Sequence, residues 1–157
     1  MKTYIGIDVG KNGGVAVIHP SGKYEAFKTP STRTEMVSVF ELYSRMASAV
    51  TYGIEKVHAM PSQGVTSMFN FGKIYGETLM VVEAKKRIFY DNVIDITPQK
   101  WMKHYGMKKD KGETNTSWKN RLKDLAQELF PDIKVTLYTA DALLIANYLK
   151  ATCEDEG

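Results

Sequence analysis

The sequence predicts an α/β fold, a five-stranded mixed sheet with helices on both faces. Two observations carry this. Apolar runs of strand length alternate with longer runs of helical spacing, in the order β-β-β-α-β-α-β-α-α-α. The composition, 43% hydrophobic and 25% charged in 157 residues, is that of one globular domain with a sizeable core. The domain is placed at 1–150, with 151–157 as an acidic frayed tail.

Thr3 to Gly10 is apolar and β-branched and reads as a buried strand. Lys11-Asn-Gly-Gly14 is turn chemistry, and Val15–Ile18 is the second strand. After a turn at 19–22, Lys23–Lys28 alternates as a third strand, so the start is an antiparallel meander. Thr29-Pro30-Ser31 resembles a helix start, and apolar residues from Met36 to Val50 follow at helical spacing. Tyr52–Val57 is the fourth strand, and Met60–Gly64 is a loop. Val65 to about Lys86 is a helix, with Met68, Phe71, Gly72, Tyr75, Gly76, Leu79 and Val82 assigned to one face. Gly72 and Gly76, one turn apart, point to a close backbone approach, because each glycine costs a helix about 1 kcal/mol. Asn92–Ile96 is the fifth strand. Thr97-Pro98 opens a short helix to about Tyr105, and 106–116 reads as a mobile loop. Ser117–Phe130 is amphipathic and stops at Pro131, and 138–150 is the last helix.

The single cysteine, Cys153, excludes an internal disulfide framework and a cysteine-rich zinc site and fits a reducing compartment. No run reaches the roughly 20 apolar residues of a spanning helix, and no signal peptide is read, so a cytoplasmic location is expected. His19 and His104 lack partners at metal-ligand spacing and receive no metal role.

Three acids stand in apolar surroundings. Asp8 ends the most apolar strand, Glu55 lies inside the short strand Gly53–Val57, and Asp141 sits in Ala140-Asp-Ala-Leu-Leu-Ile-Ala146. A buried carboxylate costs several kcal/mol unless it is paired or binds a metal. Three in one small domain favour a shared Mg²⁺ site over three separate ion pairs. Magnesium is hard and takes oxygen ligands, and two such ions about 4 Å apart serve phosphodiester hydrolysis.

The ordered set of motifs resembles the RuvC-type Holliday junction resolvases, most of all the small phage-encoded ones. It comprises Ile5-Gly-Ile-Asp-Val-Gly10 with Gly13–Val17, Ile54-Glu-Lys-Val57, Met68–Gly76, Thr97-Pro-Gln-Lys-Trp101 and Ala140–Ala146. It runs from about Tyr4 to Tyr148. The resemblance implies a ribonuclease H-like fold and a homodimer that nicks four-way DNA junctions in pairs. Water activated by Mg²⁺, or by Mn²⁺ in its place, would leave 5′-phosphate and 3′-hydroxyl ends. It implies that Asp8, Glu55 and Asp141 are the catalytic metal ligands. The family's fourth acid, three residues before the last, is absent: the position is Tyr138. Asp95 and Asp132 are the nearest alternatives in sequence.

Segment 100–123 holds Lys100, Lys103, Lys108, Lys109, Lys111, Lys119, Arg121 and Lys123 against Asp110 and Glu113. That strip carries +6, and the rest of the chain carries −3 of the total +3. It is the expected phosphate footprint, with Trp101, His104, Tyr105 and Trp118 as candidate stacking groups or core residues. Lys11 in the first turn, and His58 and Gln63 after the second acid, are further candidate DNA contacts. His58 stands equally as a plain surface histidine. The Val65–Lys86 helix, with Met68, Phe69, Phe71 and Tyr75, is the candidate dimer element, and Lys73 on it is read either as partly buried near the dimer interface or as reaching a phosphate. The competing functions are a hybrid or flap nuclease of the same fold, a non-catalytic junction-binding module and, last, an actin-like phosphotransferase, for which the chain is short.

Overall fold

The computed structural model describes residues 2–56 and 64–155. His58 and Gln63, singled out above, lie outside the described residues. The elements, in chain order, are β1 (Thr3–Asp8), β2 (Gly14–Ile18), β3 (Tyr24–Lys28), α1 (Arg33–Met46), β4 (Val50–Glu55), α2 (Val65–Phe89), β5 (Asn92–Ile96), α3 (Pro98–His104), α4 (Asn115–Leu129) and α5 (Ala140–Asp155). The sheet order is β3-β2-β1-β4-β5. β1, β2 and β3 are antiparallel neighbours, while β1–β4 and β4–β5 are parallel. The expected five-stranded mixed sheet is therefore present.

Side-chain alternation along the strands builds two cores. Ile5, Ile7, Val15, Val17, Val50, Tyr52 and Ile54 face α1 and α2. Tyr4, Ala16, Ile18 and Ile96 face the layer of α3, α4 and α5. Helices thus cover both faces.

The boundaries differ from expectation where caps decide them. α1 begins after Thr32, not at Thr29, because Thr32 and Glu35 form a reciprocal capping box. It ends at Met46, and Val50 opens β4 rather than extending the helix. Thr114 caps α4 and starts it at Asn115, ahead of the expected Ser117. α2 runs on to Phe89 and is closed by Tyr90 in the left-handed conformation, at φ 60°. α5 starts at Ala140, after a turn at 136–139, and continues through 151–155, which sequence reading assigned to a frayed tail. Cys153 packs against the core there, which anchors the last turn.

The expectation for Gly72 and Gly76 is corrected. α2 buries Thr78, Val82 and Lys85, which puts both glycines on its outer side. A Cβ at either glycine would meet nothing within 4 Å. Among the described residues no backbone approaches them.

At the end of the sheet where β4 and β5 begin, Ser44 joins the helices through a buried polar knot. Its hydroxyl donates to Asp91 at 2.6 Å and lies 2.8 Å from the Tyr52 hydroxyl. Burial pushes both the Tyr52 phenol and the Asp91 carboxyl up. The knot ties the end of α1 to the turn between α2 and β5.

Candidate metal centre

α5 lies directly on the sheet because two glycines make room. Gly6 and Gly53 are paired neighbours on β1 and β4. A Cβ on Gly6 would stand 2.2 Å from the Ala142 carbonyl oxygen and 2.5 Å from the Ala146 nitrogen. A Cβ on Gly53 would meet Ile96 at 2.7 Å and Leu149 at 3.2 Å. Their absent side chains let the first turn of α5 reach the ends of β1 and β4.

Those ends carry the acids. Asp8 closes β1 and Glu55 closes β4, one step beyond the paired Ile7 and Ile54. In parallel neighbours, paired positions share a face. Ile7 and Ile54 point to the α1–α2 side, so Asp8 and Glu55 point to the α5 side. Asp141, in the first turn of α5, completes the group and is 3% exposed. The structure thus brings the three sequence-predicted acids, 47 and 86 residues apart, to one end of the sheet.

Electrostatics records their proximity. Burial, then Asp141, then Glu55, push the Asp8 carboxyl well above the usual carboxylate range, and Lys119 opposes them. Burial also raises Glu55; the Trp101 hydrogen bond and Lys119 work against the rise, and Asp141 adds to it. Burial alone would lower the Lys119 ammonium, but Asp141, Asp8 and Glu55 hold it above the usual lysine range. Lys119 Nζ donates to Asp141 Oδ2. The other oxygen, Asp141 Oδ1, is buried and has no hydrogen-bond partner among the described residues. Among the described residues no three carboxylate, imidazole or thiol groups close on one point; the cation within the cluster is Lys119.

The donor set fits a hard divalent cation. It supplies carboxylate oxygens only, with one buried oxygen unpartnered. Trp101 leaves one Glu55 oxygen open, because its indole nitrogen donates to Oε1 alone, at 2.9 Å. Asp95 and Asp132 do not replace a fourth acid. Asp95 stands 4.0 Å from Lys56, and Asp132 accepts from the Tyr24 hydroxyl at 3.0 Å, both on exposed ground. Tyr138 takes the place itself, half exposed, with the Lys28 ammonium 4.4 Å from its ring centre. Its carbonyl oxygen rests on Gly14, the partner of Asp8 in the sheet.

Two of the candidate stacking groups are core residues. Trp101 is fully buried and Trp118 is 8% exposed. Tyr105 is tied by its hydroxyl to the Leu144 carbonyl and Asn147, both at 2.9 Å. Of the basic strip, Lys100, Lys103, Lys108, Lys109 and Lys111 are exposed, as is Lys11, while Lys123 is half-buried. Arg121 is engaged instead with Glu113 at 2.9 Å and Asp110 at 3.4 Å, and it packs over Trp118. That network organises the 106–114 segment, which the sequence reading took as mobile. Sequence reasoning gave Trp101 and Lys119 no place beside the acids. Trp101 stood there as a candidate stacking or core residue and as the end of the Thr97–Trp101 motif, and Lys119 as a member of the basic strip.

Replacing Trp101 by Phe removes the donor that lowers Glu55 and leaves the carboxyl higher still. A carboxylate must be ionised to hold a cation. The acid limb of the pH profile for divalent-cation binding is therefore expected to move to higher pH in Trp101→Phe, measured by calorimetric titration between pH 5 and 8. An unchanged limb would mean that the indole does not tune Glu55.

The fold is shared with solved structures. Thermus thermophilus RuvC in complex with a Holliday junction substrate aligns with 99% of this chain and 96% of its own, at TM-score 0.65 and 14% identity. A second Thermus thermophilus RuvC structure aligns over 98% and 96%, at TM-score 0.60 and 17% identity. The yeast mitochondrial Holliday junction resolvase Ydc2 covers 98% of this chain and 83% of its own, at TM-score 0.40 and 12% identity. No protein-family model and no curated protein matches the sequence. The chain is an α/β protein of ribonuclease H-like fold, and within that class its architecture is of the RuvC type. Among the described residues no helix is long and apolar enough to cross a membrane.

Proposed function

We propose that this protein is a Mg²⁺-dependent endonuclease that resolves four-way DNA junctions, working as a homodimer. The observation that carries the reading is the gathering of Asp8, Glu55 and Asp141 at one end of a RuvC-type sheet, with Lys119 among them. The three carboxylates would hold the metal, which when bound activates water and polarises the scissile phosphate. The protein's own part is to hold the oxygens. Gly6 and Gly53 seat α5, Trp101 orients Glu55, and the exposed lysines of 100–111 attract the phosphates. Incubating the protein with four-way, flap, RNA–DNA hybrid and plain duplex substrates, with and without Mg²⁺, tests the reading. Paired nicking of the four-way junction only with metal supports it. Preference for hybrid or flap assigns the same centre to another nuclease of this fold, and binding without cleavage makes the protein a junction-binding module.

The outer side of α2 supports the dimer. Val65, Phe69 and Met80 are 86%, 72% and 76% exposed, and Gly72 and Gly76 lie open between them. Their spacing sets all five on one helix face, a flat apolar strip that a second copy of the helix can meet closely. Phe69→Glu with Met80→Glu is expected to turn a sedimenting dimer into a monomer at micromolar concentration. A wild-type protein that sediments only as a monomer there would sink the dimer.

A further inference from the structure

We infer that Lys119 is the resident counter-ion of the carboxylate cluster, standing in for a divalent cation and giving way when one binds. The inference rests on the metal-centre reading above and adds what sets the affinity of that centre.

Three features single Lys119 out from the other lysines of the strip. Its backbone is anchored, because its neighbour Trp118 and Leu122, one turn on, are buried in the core between α4 and α5. Its side chain turns to the cluster, while Lys100, Lys103, Lys108, Lys109 and Lys111 stand exposed on other turns. Its partner is buried. Asp141 is 5% exposed by side chain, against 47% for Lys119 itself, and in the same region Arg121 holds a similarly buried acid, Glu113, at 8%.

The charge balance then follows. Fully ionised, the three carboxylates and Lys119 sum to two negative charges, the charge that one divalent ion cancels. Without Lys119 the sum is three. The ammonium satisfies Asp141 Oδ2, and among the described residues Oδ1 has no donor, so the lysine compensates the site only in part. A hard cation takes several oxygens at once and outcompetes a single point charge there. Its binding free energy is reduced by the cost of breaking the Lys119–Asp141 pair. Lys119 therefore sets the threshold for metal entry, and it is a positioning residue for the carboxylates rather than a metal ligand.

Calorimetric titration of Mn²⁺ alone into the full chain, without DNA, tests this. Lys119→Met and Lys119→Gln are expected to bind Mn²⁺ about tenfold tighter than the wild type, the loss of one competing unit charge. Lys119→Arg keeps the charge and is expected to bind within about twofold of the wild type. In thermal melts, the Met and Gln variants should melt lower in EDTA and gain more from saturating Mn²⁺. A purely structural lysine would lower both melts alike and leave the affinity unchanged. If folded Met or Gln variants bind Mn²⁺ no tighter than the wild type, the counter-ion role is overturned and the metal centre stands. If the wild type binds no Mn²⁺ and Asp8→Asn titrates identically, the metal-centre reading itself falls, and this inference with it.

Discussion

Asp8→Asn is expected to reduce metal-dependent junction cleavage by about a thousandfold or more, a loss near 4 kcal/mol of transition-state stabilisation. Burial, Asp141 and Glu55 all act on Asp8. Asparagine keeps its shape and removes one of the three charges that attract a divalent cation. Junction binding should hold or tighten, because a negative charge facing the phosphates is gone. The same substitution should stabilise the metal-free protein at neutral pH. The folded Asp8 carboxyl lies above the usual carboxylate range. Its contribution to stability is complete below the unfolded value and is lost as pH rises through the folded one. At pH 8 in EDTA, Asp8→Asn should therefore melt above the wild type, and the gap should close as pH falls toward 4. Gel-based cleavage and thermal melts measure both. Undiminished cleavage by the variant would remove Asp8 from the metal centre.

Gly6→Val is expected to cost about 3 kcal/mol or more of stability and to lower the melting temperature by about 6–12 °C. The atoms in the way, the Ala142 carbonyl oxygen and the Ala146 nitrogen, are backbone and cannot rotate aside. α5 would have to lift from β1 and carry Asp141 away from Asp8, so metal affinity should fall together with stability. Gly72→Ala makes the contrast. Nothing lies within 4 Å of its Cβ position, and alanine is the better helix former by about 1 kcal/mol. It is expected to raise the melting temperature of the monomer while weakening association. A Gly6→Val protein that melts like the wild type would contradict the seating of α5.

Much of this architecture was legible in the residues. The order of elements follows from local periodicity, and the meander follows from the two turns at Gly13-Gly14 and Gly22. The three acids stood out because each interrupts an apolar run. Helix ends were less legible, since the Thr32–Glu35 capping box and the Thr114 cap outweigh the more conspicuous Pro30 and Lys-rich stretches. The burial of Trp101 and Trp118 was hidden by the lysines around them.

The sequence by itself determined the type and order of the elements, and that carboxylates interrupt the apolar runs at Asp8, Glu55 and Asp141. Those are properties of neighbours in the chain, set by a period of two or about three and a half residues. Only the tertiary structure decided that Lys119 turns away from the basic strip into the acids, that Trp101 donates to Glu55, and that Gly72 and Gly76 open outward. Lys119 and Asp141 are 22 residues apart, and Trp101 and Glu55 are 46 apart. Such pairs form where α3, α4 and α5 pack on the sheet, and no local pattern specifies which side chains that packing brings together.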